Sequence, residues 1–145
     1  MEPRSTAQRK ADVLKKLQDD VDLWVASASA TGEAHLVPLS FYWDGARLIF
    51  ATPENSPTAR NLRRAGVARV ALGPTRDVVI IDGSLEFIPV PEAAPELVET
   101  HAMACGFRPG LRSVYIRLTP IRVQAWREVD EIPGRDAMID GSWLA

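Results

Sequence analysis

The sequence predicts a mainly β domain, a small closed antiparallel barrel carrying a few helices, with a β-sandwich as the competing architecture. Three observations predict it. Short apolar runs with strand-like alternation recur along most of the 145 residues. Tight-turn signals such as Thr31-Gly32-Glu33 and Asp44-Gly45 join them, which implies antiparallel pairing. Gly and Pro stand at the corners, and closing the sheet removes the exposed edges that an open sheet carries.

The totals agree with one domain over residues 1–145 and one core. Hydrophobic residues make up 46% and charged residues 25%, an ordinary soluble composition. A net charge of −2 argues against a general nucleic-acid binder, which draws its affinity from a basic excess. No apolar run approaches the ~18 residues of a membrane span. The N-terminal MEPRSTAQRKADVLKK lacks a signal peptide's apolar segment, so a cytoplasmic location is expected. The single cysteine, Cys105, has no partner for an internal disulfide.

The elements follow in order. Ser5-x-x-Gln8 has capping-box spacing, and Leu14, Leu17 and Val21 fall on one face, so a helix is predicted from about Thr6 to Asp20. Asp22–Ala30 reads as a strand. Ala34–Trp43 is a second, with Val37, Leu39 and Phe41 alternating, and Asp44-Gly45 turns it into a third over Arg47–Thr52. A helix opening at Ser56-Pro57 comes next. Val67–Leu72 is a fourth strand, broken by Gly73-Pro74. Asp77–Ile88 is a long fifth, with Gly83 inside it marking a bulge or bend. PEAAPELVETHAMACG reads as a helix ended by Gly106. Arg112–Leu118 and Ile121–Trp126 are two further strands separated by Pro120. The barrel thus occupies about residues 22–128, and the tail from 129 to 145 has no clear period.

The stretch TPENSPTARNLRRAG carries the first functional candidate. Ser56 suits the N-cap, Pro57 the first helical position and Gly66 the C-terminal cap. Ala59, Leu62 and Ala65 would face the core, and Arg60, Arg63 and Arg64 lie on the other side. A helix mouth offers unpaired N–H groups and partial positive charge. Thr52, Ser56 and Thr58 add hydroxyls, and Arg60 and Asn61 can reach back, so a phosphate would find several donors. The plainer reading is a well-capped surface helix.

Other candidates are weighed the same way. His101 and Cys105 are four apart on a helix and can meet as a thiolate–imidazole pair, but no third partner or ligand set accompanies them. His35 reads as a polar edge residue, and Glu128, Asp130 and Glu131 as solvated carboxylates. Arg76 and Asp77 are either a turn pair or donors and acceptors for a polar heterocycle at a barrel mouth. Trp126-Arg127 pairs an aromatic with a guanidinium, a combination that stacks on rings, against the plain reading of Trp126 as core. There is no Ser-His-Asp set, Walker loop or GxGxxG, so any redox chemistry would come from a bound cofactor.

HLVPLSFYWDGARLIFATPENSPTARNLRRAGVARVAL resembles the core of the pyridoxamine 5′-phosphate oxidase-like flavin-binding split barrels. TRDVVIIDG and RLTPIRVQAWRE resemble that family's later strands, so the resemblance runs from about Asp22 to Glu128. It implies an antiparallel six-stranded split barrel that works as a homodimer, with two cofactor sites at the interface. Val37, Pro38, Leu39 and Ser40 would lie along an isoalloxazine or deazaflavin ring. Thr52, Ser56, Thr58, Arg60 and Asn61 would hold the phosphate. Arg76 and Asp77 would approach the ring's polar edge, and Trp126 and Arg127 would come from the partner chain.

One departure stands out. Many family members carry basic residues just after the serine, where this chain has Pro57 and Thr58. Each missing charge-assisted contact is worth about 1.5–3 kcal/mol. Short Arg- and Ala-rich members that resemble this chain often use the deazaflavin coenzyme F420, which is favoured here over FMN. The implied activity is hydride transfer between that cofactor and a small organic substrate, with Tyr42 or Arg127 able to orient the acceptor. A non-catalytic carrier or sensor of FMN or F420 is the alternative.

Overall fold

The computed structural model describes residues 2–145. Its eight strands are β1 (Asp22–Ala28), β2 (Ala34–Trp43), β3 (Leu48–Pro53), β4 (Val67–Leu72), β5 (Val78–Pro89), β6 (Ser113–Trp126), β7 (Asp136–Ile139) and β8 (Ser142–Trp143). The helices are α1 (Thr6–Asp19), α2 (Pro57–Ala65) and α3 (Pro95–Cys105). The sheet runs β3-β2-β1-β4-β5-β6-β7-β8, and a further β3–β6 pairing closes the first six into an antiparallel barrel. The competing sandwich is thereby excluded. Its interior is filled by alternating residues such as Leu23, Val25, Phe41, Phe50, Val70, Ile81, Ile116 and Val123.

Pairing around the barrel is uneven, and this positions the site. β2 pairs with β1 along Ala34–Ser40 but with β3 only over Phe41, Tyr42 and Trp43. The far part of β3 pairs with β6 instead, Ala51 opposite Tyr115 and Pro53 opposite Ser113. β2 and β3 therefore diverge at one end, which is the split. α2 follows β3 directly and packs on β1, β2, β3 and β4 at that end. α1 sits at the other end, where Lys16 approaches Gly73 and binds Asp77.

Several local expectations are corrected. Ser5 caps α1 through the Gln8 N–H at 3.1 Å, but Gln8 turns its amide to Asp12 at 2.8 Å rather than closing the box. The buried face of α1 is Arg9, Val13 and Leu17, with Val21 exposed beyond its end. Between β2 and β3, Asp44 N donates to Arg47 O at 3.0 Å, so the two turn residues are Gly45 and Ala46, one later than the Asp44-Gly45 pair suggests. The two strands expected on either side of Pro120 are one strand, β6. Pro120 sits opposite Gly83 where the β5–β6 register shifts, and the extra residue of the bulge is Ile121 on β6, beside the proline, rather than Gly83 on β5. The tail forms the β7–β8 hairpin, added to β6 through Val123 opposite Met138.

Glu131 is not solvated but buried. Its carboxylate accepts from Arg4 N at 3.0 Å, Arg4 Nε and Nη2 each at 2.9 Å, Arg127 N at 2.8 Å and Arg9 Nη2 at 3.4 Å. Glu128 and Asp130 remain exposed.

Candidate functional site

The mouth of α2 has the predicted local chemistry. Ser56 adopts extended backbone and its Oγ accepts from Ala59 N at 3.1 Å, while Pro57 occupies the first turn and Gly66 ends the helix at φ 73°. Thr52 Oγ1 lies 2.9 Å from Ser56 Oγ, so two hydroxyls meet at the mouth. The rest of the predicted anion cluster divides. Thr58 and Asn61 belong to the buried face with Ala59 and Leu62, and it is Ala65 that is exposed. Asn61 Nδ2 donates to Ser27 Oγ at 3.1 Å, tying α2 to β1. Arg60 stays exposed and folds its Nη1 back onto the Asn55 carbonyl. Arg63 pairs with Glu54 and Arg64 with the Ala28 carbonyl.

The edge of β2 lies beside this mouth. Phe41 N donates to Val21 O at 2.7 Å, which fixes the alternation: the odd residues 35–41 bond to β1, and Leu36, Pro38 and Ser40 direct their backbone groups away from it. No strand covers that side between residues 34 and 40. Proline is tolerated there because its missing N–H falls on the open edge. The edge offers the N–H groups of Leu36 and Ser40 and the carbonyls of Leu36, Pro38 and Ser40. Side chains alternate too. Val37 and Leu39 pack on the barrel core, and Pro38 lies outward and exposed. Ser40 Oγ donates to Asp22 Oδ1 at 2.9 Å.

Two clefts lie nearby, one on the outer side of β2 and one beside the helix mouth. One of about 480 Å³ lies over Asp22, Trp24, Pro38, Ser40, Ala71 and Gly73. The other, of about 490 Å³, opens beside the α2 N-cap between Pro53–Asn55 and Gly110–Ser113 and carries Arg112.

Arg76, Asp77, Trp126 and Arg127 gather at the opposite end. From the Ser27–His35 pair to the Asp22–Ser40 pair, β2 rises roughly 17 Å, so the two groups of candidate residues lie well apart within one chain. Asp77 does not pair with Arg76; it accepts from Lys16 Nζ at 2.7 Å and Arg127 Nε at 3.2 Å. Burial would raise its carboxyl, but these cations outweigh burial and hold it below the usual carboxylate range. Arg127 also reaches Asp12 at 3.4 Å, and Arg76 is exposed, 3.5 Å from Glu128. The half-buried Trp126 has the Arg135 guanidinium over its ring at 5.9 Å.

His101 and Cys105 do not form a nucleophilic pair. No hydrogen bond joins them, and burial, with a contribution from Asp22, pushes the Cys105 thiol up to about 11. Asp22 and Trp24, which line the cleft over β2, and Ser27, which anchors α2 to β1, were passed over by sequence reasoning. The available signal was Ser27, a polar residue in the inward phase set by Leu23 and Val25.

The chain matches the family model described as pyridoxamine 5′-phosphate oxidase over residues 12–127. No curated protein matches it by sequence. Among solved structures it resembles an F420 reductase at 16% identity and a TM-score of 0.64, covering 75% of this chain and 93% of that one. A conserved hypothetical protein of Mycobacterium tuberculosis aligns at 17% identity and a TM-score of 0.69, covering 90% and 92%. A pyridoxamine 5′-phosphate oxidase-related, FMN-binding protein of Nostoc punctiforme aligns at 13% identity and a TM-score of 0.53, covering 83% and 79%. These likenesses carry the fold, while the sequence match spans the barrel from α1 to the end of β6. A six-stranded barrel split between β2 and β3, with a capped helix mouth at the split, is the shape of a family the sequence reaches on its own: this chain belongs to the pyridoxamine 5′-phosphate oxidase family.

Proposed function

We propose that the protein binds a flavin-type cofactor, F420 or FMN, at the β2–β3 split and acts as an oxidoreductase on a small organic substrate. The observation that carries this reading is the strand edge at Leu36–Ser40, left without a neighbour beside a hydroxyl-lined helix mouth. The donors fit such a group. Backbone N–H and C=O groups suit a heterocycle edge, and the α2 N-terminus with Thr52 and Ser56 suits a phosphate. The cofactor would supply the hydride chemistry. The chain's own residues would bind the phosphate, hold the ring flat against Pro38 and exclude water.

The phosphate end is short of cations. Thr58 is buried, and the cations within reach of an anion at the mouth are Arg60, now folded onto the Asn55 carbonyl, and the exposed Arg112 in the adjoining cleft. This supports F420 over FMN, and it also favours the second reading, a carrier or sensor that releases its ligand readily. Fluorescence titration of the pure protein with FMN and F420 tests binding. Arg60→Ala is expected to weaken it roughly tenfold, the loss of one charge-assisted bond. No saturable binding of either cofactor by a folded wild-type protein overturns both readings. Tight binding with no turnover of the reduced cofactor across electrophilic acceptors leaves only the carrier.

The half-sites at opposite ends of the barrel support a homodimer in which Trp126 and Arg127 complete the partner's site. An apolar outer face is available for it. Trp24, Leu36 and Val67 are 50%, 59% and 53% exposed on the outer faces of β1, β2 and β4, with Ile121 beside them. Leu36→Asp is expected to shift the protein from dimer to monomer in light scattering, with unchanged circular dichroism. A monomeric wild-type protein removes this part of the proposal.

A further inference from the structure

α3 is held to the barrel in an unusual way. Its N-cap is Ala94, which gives no side-chain hydrogen bond, and its one fully buried residue is His101. Leu97 and Val98, half-buried, complete its contact with Ile49, Ala51 and Tyr115. The imidazole is enclosed edge-to-face by Tyr115 and Phe107, each 5.2 Å between ring centres, and by Tyr42 at 6.2 Å. Neither His101 Nδ1 nor Nε2 makes a hydrogen bond, and the buried Tyr115 hydroxyl has no partner either. The ring is packed as if it were an apolar side chain.

A neutral imidazole tolerates such a seat better than an imidazolium, which brings two N–H donors and a charge into it. We propose that α3 is an acid-released cover on the outer face of β2, with His101 as its trigger. The surrounding side chains offer no rescue, and the Phe107 backbone alone favours the charged ring. Tyr42 and Asp44 stand on or just past β2, and Tyr115 and Arg117 on β6. Cys105 ends α3, and Arg108 beyond it is paired with Glu99. None of the carboxylates reaches the ring, and Arg117 and Arg108 carry the wrong sign. Burial lowers the His101 pKa from its ordinary 6.5, opposed only in part by the Phe107 backbone.

The sign follows from linkage. The docked helix disfavours the proton and the released helix accepts it near 6.5, so docking is full above that pH and weakens as pH falls below it. One proton makes the effect at most tenfold per pH unit. Release uncovers Tyr42, two residues from Ser40 on the same face of β2, and so opens the flank of that strand. The device does not depend on which ligand β2 carries.

Hydrogen exchange on the full chain tests it, with rates corrected for the intrinsic effect of pH. Between pH 6.5 and 5.5, protection of the α3 amides is expected to fall up to about fivefold, while the β1, β4 and β5 amides keep theirs. His101→Phe keeps an aromatic ring that cannot titrate and should remove the slope. If that variant does not fold, His101→Gln serves in its place. Flat α3 protection in the wild type overturns the proposal. So does an equal slope in a folded variant, or loss shared with the barrel strands.

Discussion

Replacing Glu131 with alanine is expected to cost roughly 3–5 kcal/mol of stability, read as a lowered urea midpoint, because it strands buried positive charge. The carboxylate is the common acceptor for Arg4, Arg9 and the Arg127 backbone, and both guanidinium side chains are at least nine-tenths buried. Arg9 has no alternative. Its Nε is already without a partner, and its remaining bonds, to Glu131 and to Arg4 O, are 3.4 Å long. The pH dependence gives a second readout. The side-chain hydrogen bond from Arg4 leads the interactions that hold the Glu131 carboxyl at about 2, below its ordinary 4.5. A depressed carboxyl contributes stability that is complete above 4.5 and is lost as pH falls toward 2, on the order of 3 kcal/mol in all. Glu131→Gln should be destabilised at pH 7 and lack most of that acid-dependent loss. If wild type and Glu131→Gln lose stability in parallel between pH 5 and 2.5, the carboxylate is not the anchor described. The anchor also fixes the Arg127 backbone where the chain leaves β6 after Trp126.

What the sequence disclosed was what neighbours in the chain decide. α2 was legible to its caps because Ser56, Pro57 and Gly66 act within one or two turns of themselves. An irregularity at Gly83 was legible because a glycine weakens a β-branched run, and a strand carries one where it bends or where a second backbone comes close; the bulged residue itself, Ile121, lies on the neighbouring strand. Pro120 misled because a proline breaks a strand by local rules, and only the pairing with β5, with Ile121 left over as a bulge, shows how it is carried inside β6. The two short strands of the tail are four and two residues long, too brief for any period to register. Glu131 read as solvated because its partners, Arg4 and Arg9, are more than 120 residues away. The helix mouth was legible and the open edge of β2 was not. That edge exists because the β2–β3 ladder stops at Phe41 opposite Phe50 while β2 stays with β1 and β3 with β6, long-range pairings that no local pattern records. For the same reason the sequence placed Thr58 and Asn61 beside the phosphate, whereas packing against β1 turns them inward.

Gly83→Ala is expected to destabilise the protein by roughly 2–3 kcal/mol, a large cost for one added methyl group. The cause is not backbone conformation, since Gly83 is not among the glycines at positive φ. It is space. A Cβ at this position would lie 2.4 Å from Leu118 Cδ2 and 2.4 Å from the Thr119 carbonyl oxygen. The leucine tip can rotate away, but the carbonyl belongs to the β6 backbone, held by the ladder on both sides of the bulge. The two obstacles can be separated by experiment. If Leu118 were the main one, Gly83→Ala combined with Leu118→Ala would recover stability relative to Gly83→Ala alone. The carbonyl contact predicts no recovery, because the second change leaves that clash in place and opens a cavity where a fully buried leucine stood. Urea midpoints of the three variants decide between these outcomes, and a Gly83→Ala protein within about 0.5 kcal/mol of wild type, as expected for an unconstrained site, would show that β6 yields freely. Such yielding would also undercut the geometry of the site. β6 runs from the end of β3 at the split to Trp126 at the opposite end, and its bulge sets how those two ends of the barrel face. A strand able to shift at Pro120 could not hold both in a fixed relation.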